Sequence, residues 1–219
     1  MNIETTHLRR EEIYQRLRAE ILACQLAPGA NLHEAELAER FAISKSPIRD
    51  ALMRLEAERL VLVVPRKGYR VAPISVSDAR DLFGLRMVLE QACAPDVAAN
   101  ASDADLKALD RFRSLAAWGK GDSFVDYNRE FHCAVIDLSS NRRIADTGRS
   151  VIEQFDRLVV MSISTLAERN AEALIAEHAA IIDALQARDG RLAGKLLQKH
   201  IEFGVKRVLK ALEQAAVIP

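Results

Sequence analysis

Three histidines in the second half of the sequence, His132, His178 and His200, carry its most distinctive chemistry. Each shares an apolar helical stripe: His132 with Val135 and Ile136, His178 with Leu174, Ile181, Ile182 and Leu185, and His200 with Leu196, Leu197 and Phe203. Residues three and four apart lie on one helix face, so three such histidines inside a bundle could converge on one divalent cation, Zn or Ni in kind, through neutral imidazole nitrogens. Asn128, four residues before His132, shares its face and offers an amide oxygen as a fourth ligand. A histidine on an apolar face is more often a hydrogen-bonded core residue than a ligand, and spacing alone leaves both readings open. Arg86 is the next candidate, because it sits one turn from apolar neighbours in Leu85-Arg86-x-x-Leu89-Glu90. An inward guanidinium needs a carboxylate partner. Glu90, at i+4, is one candidate and a bound organic acid is another.

The elements that must position these groups are helices. After residue 77 strand signals are scarce, and glycines at 84, 119, 121, 148, 190, 194 and 204 together with Pro95 punctuate long amphipathic stretches. Helices are expected over 78–100, 103–118, 121–138, 141–165, 168–188 and 190–215, packed as an antiparallel bundle. The boundary of this unit falls near Val71–Asp78, where strand character ends and a serine can cap a helix. A division into 1–74 and 75–219 follows, and 219 residues suits two domains.

The first domain has a different pattern. Leu37, Ala38 and Phe41 form one helical stripe, and Ile48, Ala51, Leu52 and Leu55 form a second at i, i+3, i+4, i+7. Between them Ser44 or Ser46 can cap, and Pro47 suits a first helical turn. Two short helices joined by about four residues make a helix-turn-helix, whose second helix enters the major groove. Lys45, Ser46 and Arg49 stand at its N-terminal end to meet base edges and phosphates, with Ser44 beside a phosphate and Arg54 following on the same helix. Next, Leu60–Val64 and Tyr69–Ala72 are extended in character, and Pro65-Arg66-Lys67-Gly68 turns between them. This reads as a two-stranded wing with a basic tip at Arg66 and Lys67. The whole chain is neutral, with 31 cationic and 31 acidic residues. Residues 40–70 hold eight cations against three anions, so the inference of double-stranded DNA as partner rests on local charge.

The run Pro28-Gly29-Ala30-x-Leu32-x-Glu34-x-x-Leu37-Ala38-x-x-Phe41-x-Ile43-Ser44-Lys45-Ser46-Pro47-Ile48-Arg49-Asp50-Ala51-Leu52-x-x-Leu55 resembles the DNA-binding signature of the GntR family of bacterial transcription regulators. Asp81-Leu82-Phe83-x-x-Arg86-x-x-Leu89-Glu90, with Asn128-x-x-x-His132 and two further histidines, resembles the all-helical (FCD-type) ligand-binding domain of its FadR subgroup. The resemblance spans nearly the whole chain. It implies operator contacts at Lys45, Arg49 and the wing Gly68, with Ser44 and Ser46 near the backbone. It also implies a metal held by an Asp and three His at Asn128, His132, His178 and His200, an effector carboxylate at Arg86, and a homodimer on a pseudo-palindromic operator. Repression relieved by ligand is the expected sign. Three positions depart from the pattern: Ala35 stands where relatives often have Arg, Arg59 where Gly is common, and Asn128 where the ligand is Asp. A neutral amide binds a cation more weakly than a carboxylate, so the ion would draw on an effector carboxylate to complete its shell.

Other classes are disfavoured. The sequence has no H-E-x-x-H array, G-x-S-x-G elbow or phosphate-cradling glycine loop. A metal-dependent enzyme fused to a DNA-binding domain is the alternative class, and a fatty-acyl effector the alternative ligand, against which the polar His and Arg set argues. Cys24, Cys93 and Cys133 are odd in number and widely spaced, and read as buried apolar residues. With no apolar run of about 18 residues and a polar N-terminus, the chain is expected in the cytoplasm, away from membranes.

Overall fold

Residues 3–119, 123–163 and 171–215 are described by a computed structural model. They form two compact units, Met1–Ile74 and Ser75–Pro219. The first contains α1 (Ile3–Leu22), β1 (Asn31–Leu32), α2 (Glu34–Arg40), α3 (Lys45–Ala57), β2 (Val61–Val64) and β3 (Gly68–Val71). The apolar stripes of α2 and α3 are buried, with Ile48, Leu52 and Leu55 fully enclosed against Leu17 and Ile21 of α1. Each such side chain contributes about 1.5–3 kcal/mol by leaving water. The three strands are antiparallel in the order β1-β3-β2, with Val61 opposite Val71 and Val64 opposite Gly68. Both α1 and β1 go beyond the sequence expectation, which had only the helix pair and a two-stranded wing.

Helix α3 ends at Ala57, and Arg59 follows with φ 60°, in the left-handed region. The Arg59 N–H donates to Glu56 O at 2.9 Å and the Leu60 N–H to Leu55 O at 2.9 Å. This is a Schellman termination, sealed by burial of Leu55 and Leu60. Arg59 adopts a backbone conformation that glycine would adopt more readily.

The second unit is all helical: α4 (Val76–Asn100), α5 (Asp103–Ala108), a 3-10 turn (Leu109–Arg113), α6 (Leu115–Trp118), α7 (Phe124–Ile136), α8 (Arg142–Ile163), α9 (Ala171–Gln186) and α10 (Gly190–Ala215). Ser75 caps α4 by accepting the Asp78 N–H. The helix expected over 103–118 is broken, because Ser114 is extended and starts a new helix by accepting the Ala117 N–H. The expected ends at 121–122, 164–165 and 168–170 lie outside the described residues.

Several presumed punctuation marks lie inside helices: Gly84 and Pro95 in α4, Gly148 in α8, Gly194 and Gly204 in α10. Gly148 and Gly190 have a packing reason. A Cβ on Gly148 would run into the end of the Ile136 side chain, and one on Gly190 would lie 2.5 Å from Pro95 Cα, so these glycines let helices approach. The core joins Cys93 and Val97 of α4 with Phe131 and Ile136 of α7, Ile181 and Leu185 of α9 and Leu197 of α10. Cys93 and Cys133 are buried and burial pushes both thiols up to about 12, whereas Cys24 is half-buried.

Candidate functional site

His132, His178 and His200 come from α7, α9 and α10, and all three are buried among the aromatic and aliphatic residues that set those helices. Their ring nitrogens converge. His200 Nε2 lies 3.2 Å from His132 Nε2 and 3.2 Å from His178 Nε2, and one nitrogen from each ring falls within 4.8 Å of the others. Each opposite nitrogen is engaged. His132 Nδ1 is 2.5 Å from Glu90 Oε2, His200 Nδ1 is 2.6 Å from Glu177 Oε2, and His178 Nδ1 is 3.2 Å from the Tyr127 hydroxyl. That hydroxyl donates to Phe112 O at 2.6 Å, so it accepts from His178. Burial pushes the Tyr127 phenol up to about 12, which keeps it a donor.

With two carboxylates and an accepting hydroxyl as partners, N–H on the three Nδ1 atoms is the tautomer that satisfies every Nδ1 contact, and it would leave three Nε2 lone pairs facing one another. Burial, with the charge of Arg86 adding to it, holds His132 well below its usual range, in the neutral form. Burial also raises the Glu90 carboxyl, against the opposing pull of Arg86. Facing lone pairs are repulsive unless a cation lies between them. Two nitrogens on a tetrahedral ion at about 2.0–2.1 Å stand about 3.3 Å apart, which the 3.2 Å separations match. The donor set therefore fits a borderline-soft divalent ion.

Arg86 is buried, its Nε donating to Glu90 Oε1 at 2.5 Å and its guanidinium carbon 4.7 Å from the centre of the Phe155 ring. The intrahelical pair is thus formed, and none of the hydrogen bonds among the described residues engages its terminal nitrogens. Asn128, one turn before His132 on α7, is half-buried and makes no side-chain hydrogen bond among the described residues.

In the first unit Ser44 holds the cap position of α3 without a side-chain cap bond, contrary to the capping expectation, and Ser46 lies within the helix. Lys45, Ser46 and Arg49 are exposed at the start of α3. In the wing the Lys67 N–H closes a turn on Val64 O, with Arg66 at φ 65° and Gly68 at φ 91°. Lys45, Arg66 and Lys67 form no ion pair among the described residues. Arg54 turns back onto α1, donating to Glu11 at 2.6 Å and lying 3.6 Å over the Tyr14 ring.

A helix-turn-helix with a basic wing, followed by a helical unit with a buried histidine cluster, matches two family models. Residues 9–71 match the bacterial regulatory proteins of the gntR family, and residues 81–203 match the FCD domain. The chain belongs to the GntR family, in the branch that carries an FCD domain. It is a DNA-binding transcription regulator of that kind. The HTH-type transcriptional repressor RspR of Escherichia coli is 28% identical over 88% of this chain and 85% of its own length. The repressor GlaR of the same organism is 29% identical over 91% of this chain and 95% of its own. Among solved structures, a GntR transcriptional regulator of Rhodococcus sp. RHA1 superposes with TM-score 0.75 at 25% identity, covering 93% of this chain and 98% of that one. Escherichia coli McbR/YncC shares the fold, with TM-score 0.78 at 20% identity over 92% and 97% of the two chains. The relatives are transcription regulators, not enzymes.

The sequence pattern reached the three histidines of this GntR/FCD protein but not the residues behind them. Glu90, Tyr127 and Glu177 were missed as partners. Glu90 carried a signal, an acid on an apolar stripe; Tyr127 and Glu177 carried none that separates them from ordinary helical residues. No described helix is long and apolar enough to cross a membrane.

Proposed function

We propose that this GntR/FCD regulator is a cytoplasmic homodimeric repressor that senses a small organic acid in its helical domain and binds a divalent cation, Zn or Ni in kind, at His132, His178 and His200. The convergence of one ring nitrogen from each histidine, all within 4.8 Å of one another, carries this reading. Asn128 stands one turn from His132 to supply an oxygen. Such an ion, when bound, supplies an open coordination position for a carboxylate oxygen. Arg86, with its terminal nitrogens uncommitted, is the proposed second contact for that carboxylate. The polar set disfavours a fatty-acyl ligand.

Lys45, Ser46 and Arg49 are the proposed base and phosphate contacts, with Ser44, Arg66, Lys67 and Gly68 along the backbone. Arg54, held against α1, contributes chiefly to folding. Exposed Leu85 and Val88 on α4 and Phe203 on α10 support self-association of the helical domain. Repression is supported by the names of RspR and GlaR, and ligand release of DNA is the sign proposed with it, each then weakening the other's binding by the same factor. The test is elemental analysis of the purified full chain with a thermal-shift panel of small carboxylates, with and without EDTA. About one ion per chain and a carboxylate stabilisation lost on chelation are expected. A metal-free chain, stabilised equally with EDTA, would overturn the metal part.

A further inference from the structure

We infer that Glu90 is a positioning residue of the histidine cluster, fixing the His132 ring in the tautomer that can ligate and tying that ring to α4 through Arg86. The inference rests on the metal reading above and goes beyond it.

Glu90 is 1% exposed. A carboxylate in such a place is costly unless both oxygens are satisfied. A purely local partner for Arg86 would need one oxygen. The second is used on a ring 42 positions away, and on the nitrogen opposite the one that faces the other histidines. The same arrangement recurs at His200 with Glu177 and at His178 with Tyr127. Three rings on three helices, each gripped at Nδ1 and each turning Nε2 inward, form a consistent pattern. A carboxylate accepting from Nδ1 fixes both proton and ring plane and raises the basicity of Nε2.

Of the three partners, Glu90 is the one that comes from α4. It is also held by a charged donor, Arg86, at 2.5 Å. The line Arg86–Glu90–His132 therefore runs from the first helix of the domain into the cluster. Whatever engages Arg86 changes the hold on Glu90, and through it the setting of His132.

Glu90→Gln keeps the volume and changes the donor pattern. If the amide NH2 faces His132, Nδ1 must become an acceptor, which puts the ring proton on Nε2 and blocks the ligating lone pair. If the amide oxygen faces His132, the NH2 is set against Arg86. Either way the ring loses its charged anchor, and affinity for Zn2+ should fall about 10- to 100-fold.

The experiment is competition of the full chain with a chromophoric chelator for Zn2+, in wild type and Glu90→Gln, with the absorption of the Co2+-loaded forms compared. Weaker Zn2+ binding with a changed Co2+ band supports the inference; Glu90→Gln binding within twofold of wild type, with the same band, overturns it and leaves the metal reading standing. Should the variant fail to fold, the ring tautomers of the metal-free wild type decide, read by long-range proton–nitrogen NMR. His132 protonated on Nδ1 is the expected result, and protonation on Nε2 would overturn the inference. Zn2+ failing to bind wild type would remove the metal reading, and the tautomer measurement would still decide the role of Glu90.

Discussion

Arg49 and Glu34 form a two-pronged ion pair across the helix-turn-helix, Nε to Oε1 at 3.1 Å and Nη2 to Oε2 at 2.9 Å. The hydrogen bonds of this pair raise the already high pKa of Arg49 and lower that of Glu34. The arginine proposed to read DNA is therefore engaged with an anion before DNA arrives, and phosphate or base must replace that anion. Glu34→Gln should tighten binding to a random-sequence duplex at low salt about twofold to fivefold, measured by fluorescence anisotropy. Lys67→Ala should lower the slope of log affinity against log salt by about 1. Weaker binding by Glu34→Gln would mean that Glu34 holds Arg49 in its reading position.

The termination of α3 makes a stability prediction. Arg59 sits at φ 60°, where glycine carries no steric penalty. Arg59→Gly should stabilise the first unit by about 0.5–1 kcal/mol, since relief of left-handed strain outweighs the added freedom of the unfolded chain. Urea unfolding of the full chain should be followed by circular dichroism, because the single tryptophan, Trp118, lies in the helical unit. A lower midpoint for the variant would contradict the strain argument.

The helix-turn-helix was legible because Leu37, Ile48, Leu52 and Leu55 keep helical spacing and bury as that spacing requires. The wing was legible because β-branched residues flank a Pro-Arg-Lys-Gly turn. Helix α1 was not read. Its buried Ile13, Leu17 and Ile21 are interleaved with charges that acquire partners only in the fold, such as Glu20 with Arg40 and Glu11 with Arg54. Strand β1, two residues long, is too short to show alternation and exists because β3 offers it an edge. The histidines were legible from their stripes. Their partners were not, because Glu90 and His132 meet only when α4 packs on α7.

Asp96 links two parts of the helical unit. Its carboxylate accepts from Ser139 Oγ at 2.7 Å, from the Ser140 N–H at 2.7 Å and from Ser140 Oγ at 2.6 Å, joining α4 to the turn after α7. The Ser140 and Ser139 hydroxyls, with Asn100 and the Ser140 N–H, hold it well below the usual carboxylate range. A depressed acid stabilises the fold above its unfolded pKa of about 3.9 and loses that contribution as pH falls through the folded value. Asp96→Asn should cost about 1–2 kcal/mol at neutral pH. The gap from wild type should close as pH drops below about 4, seen by thermal melting across a pH series. A gap that persists at low pH would show that the serine contacts do not depend on the charge.

Asn128 sets the final expectation. With three neutral imidazoles and a neutral amide, the site offers a divalent cation no anionic ligand of its own. A bound carboxylate would then contribute charge as well as an oxygen, so metal and effector should reinforce each other. Asn128→Asp supplies that charge from the protein. It should raise Zn2+ affinity tenfold or more, since an anionic oxygen replaces a neutral one, and shrink the gain that added carboxylate gives. Chelator competition, run with and without acetate, checks both. If Asn128→Asp leaves the affinity and the acetate effect unchanged, residue 128 lies outside the coordination sphere and the oxygen ligand must come from elsewhere.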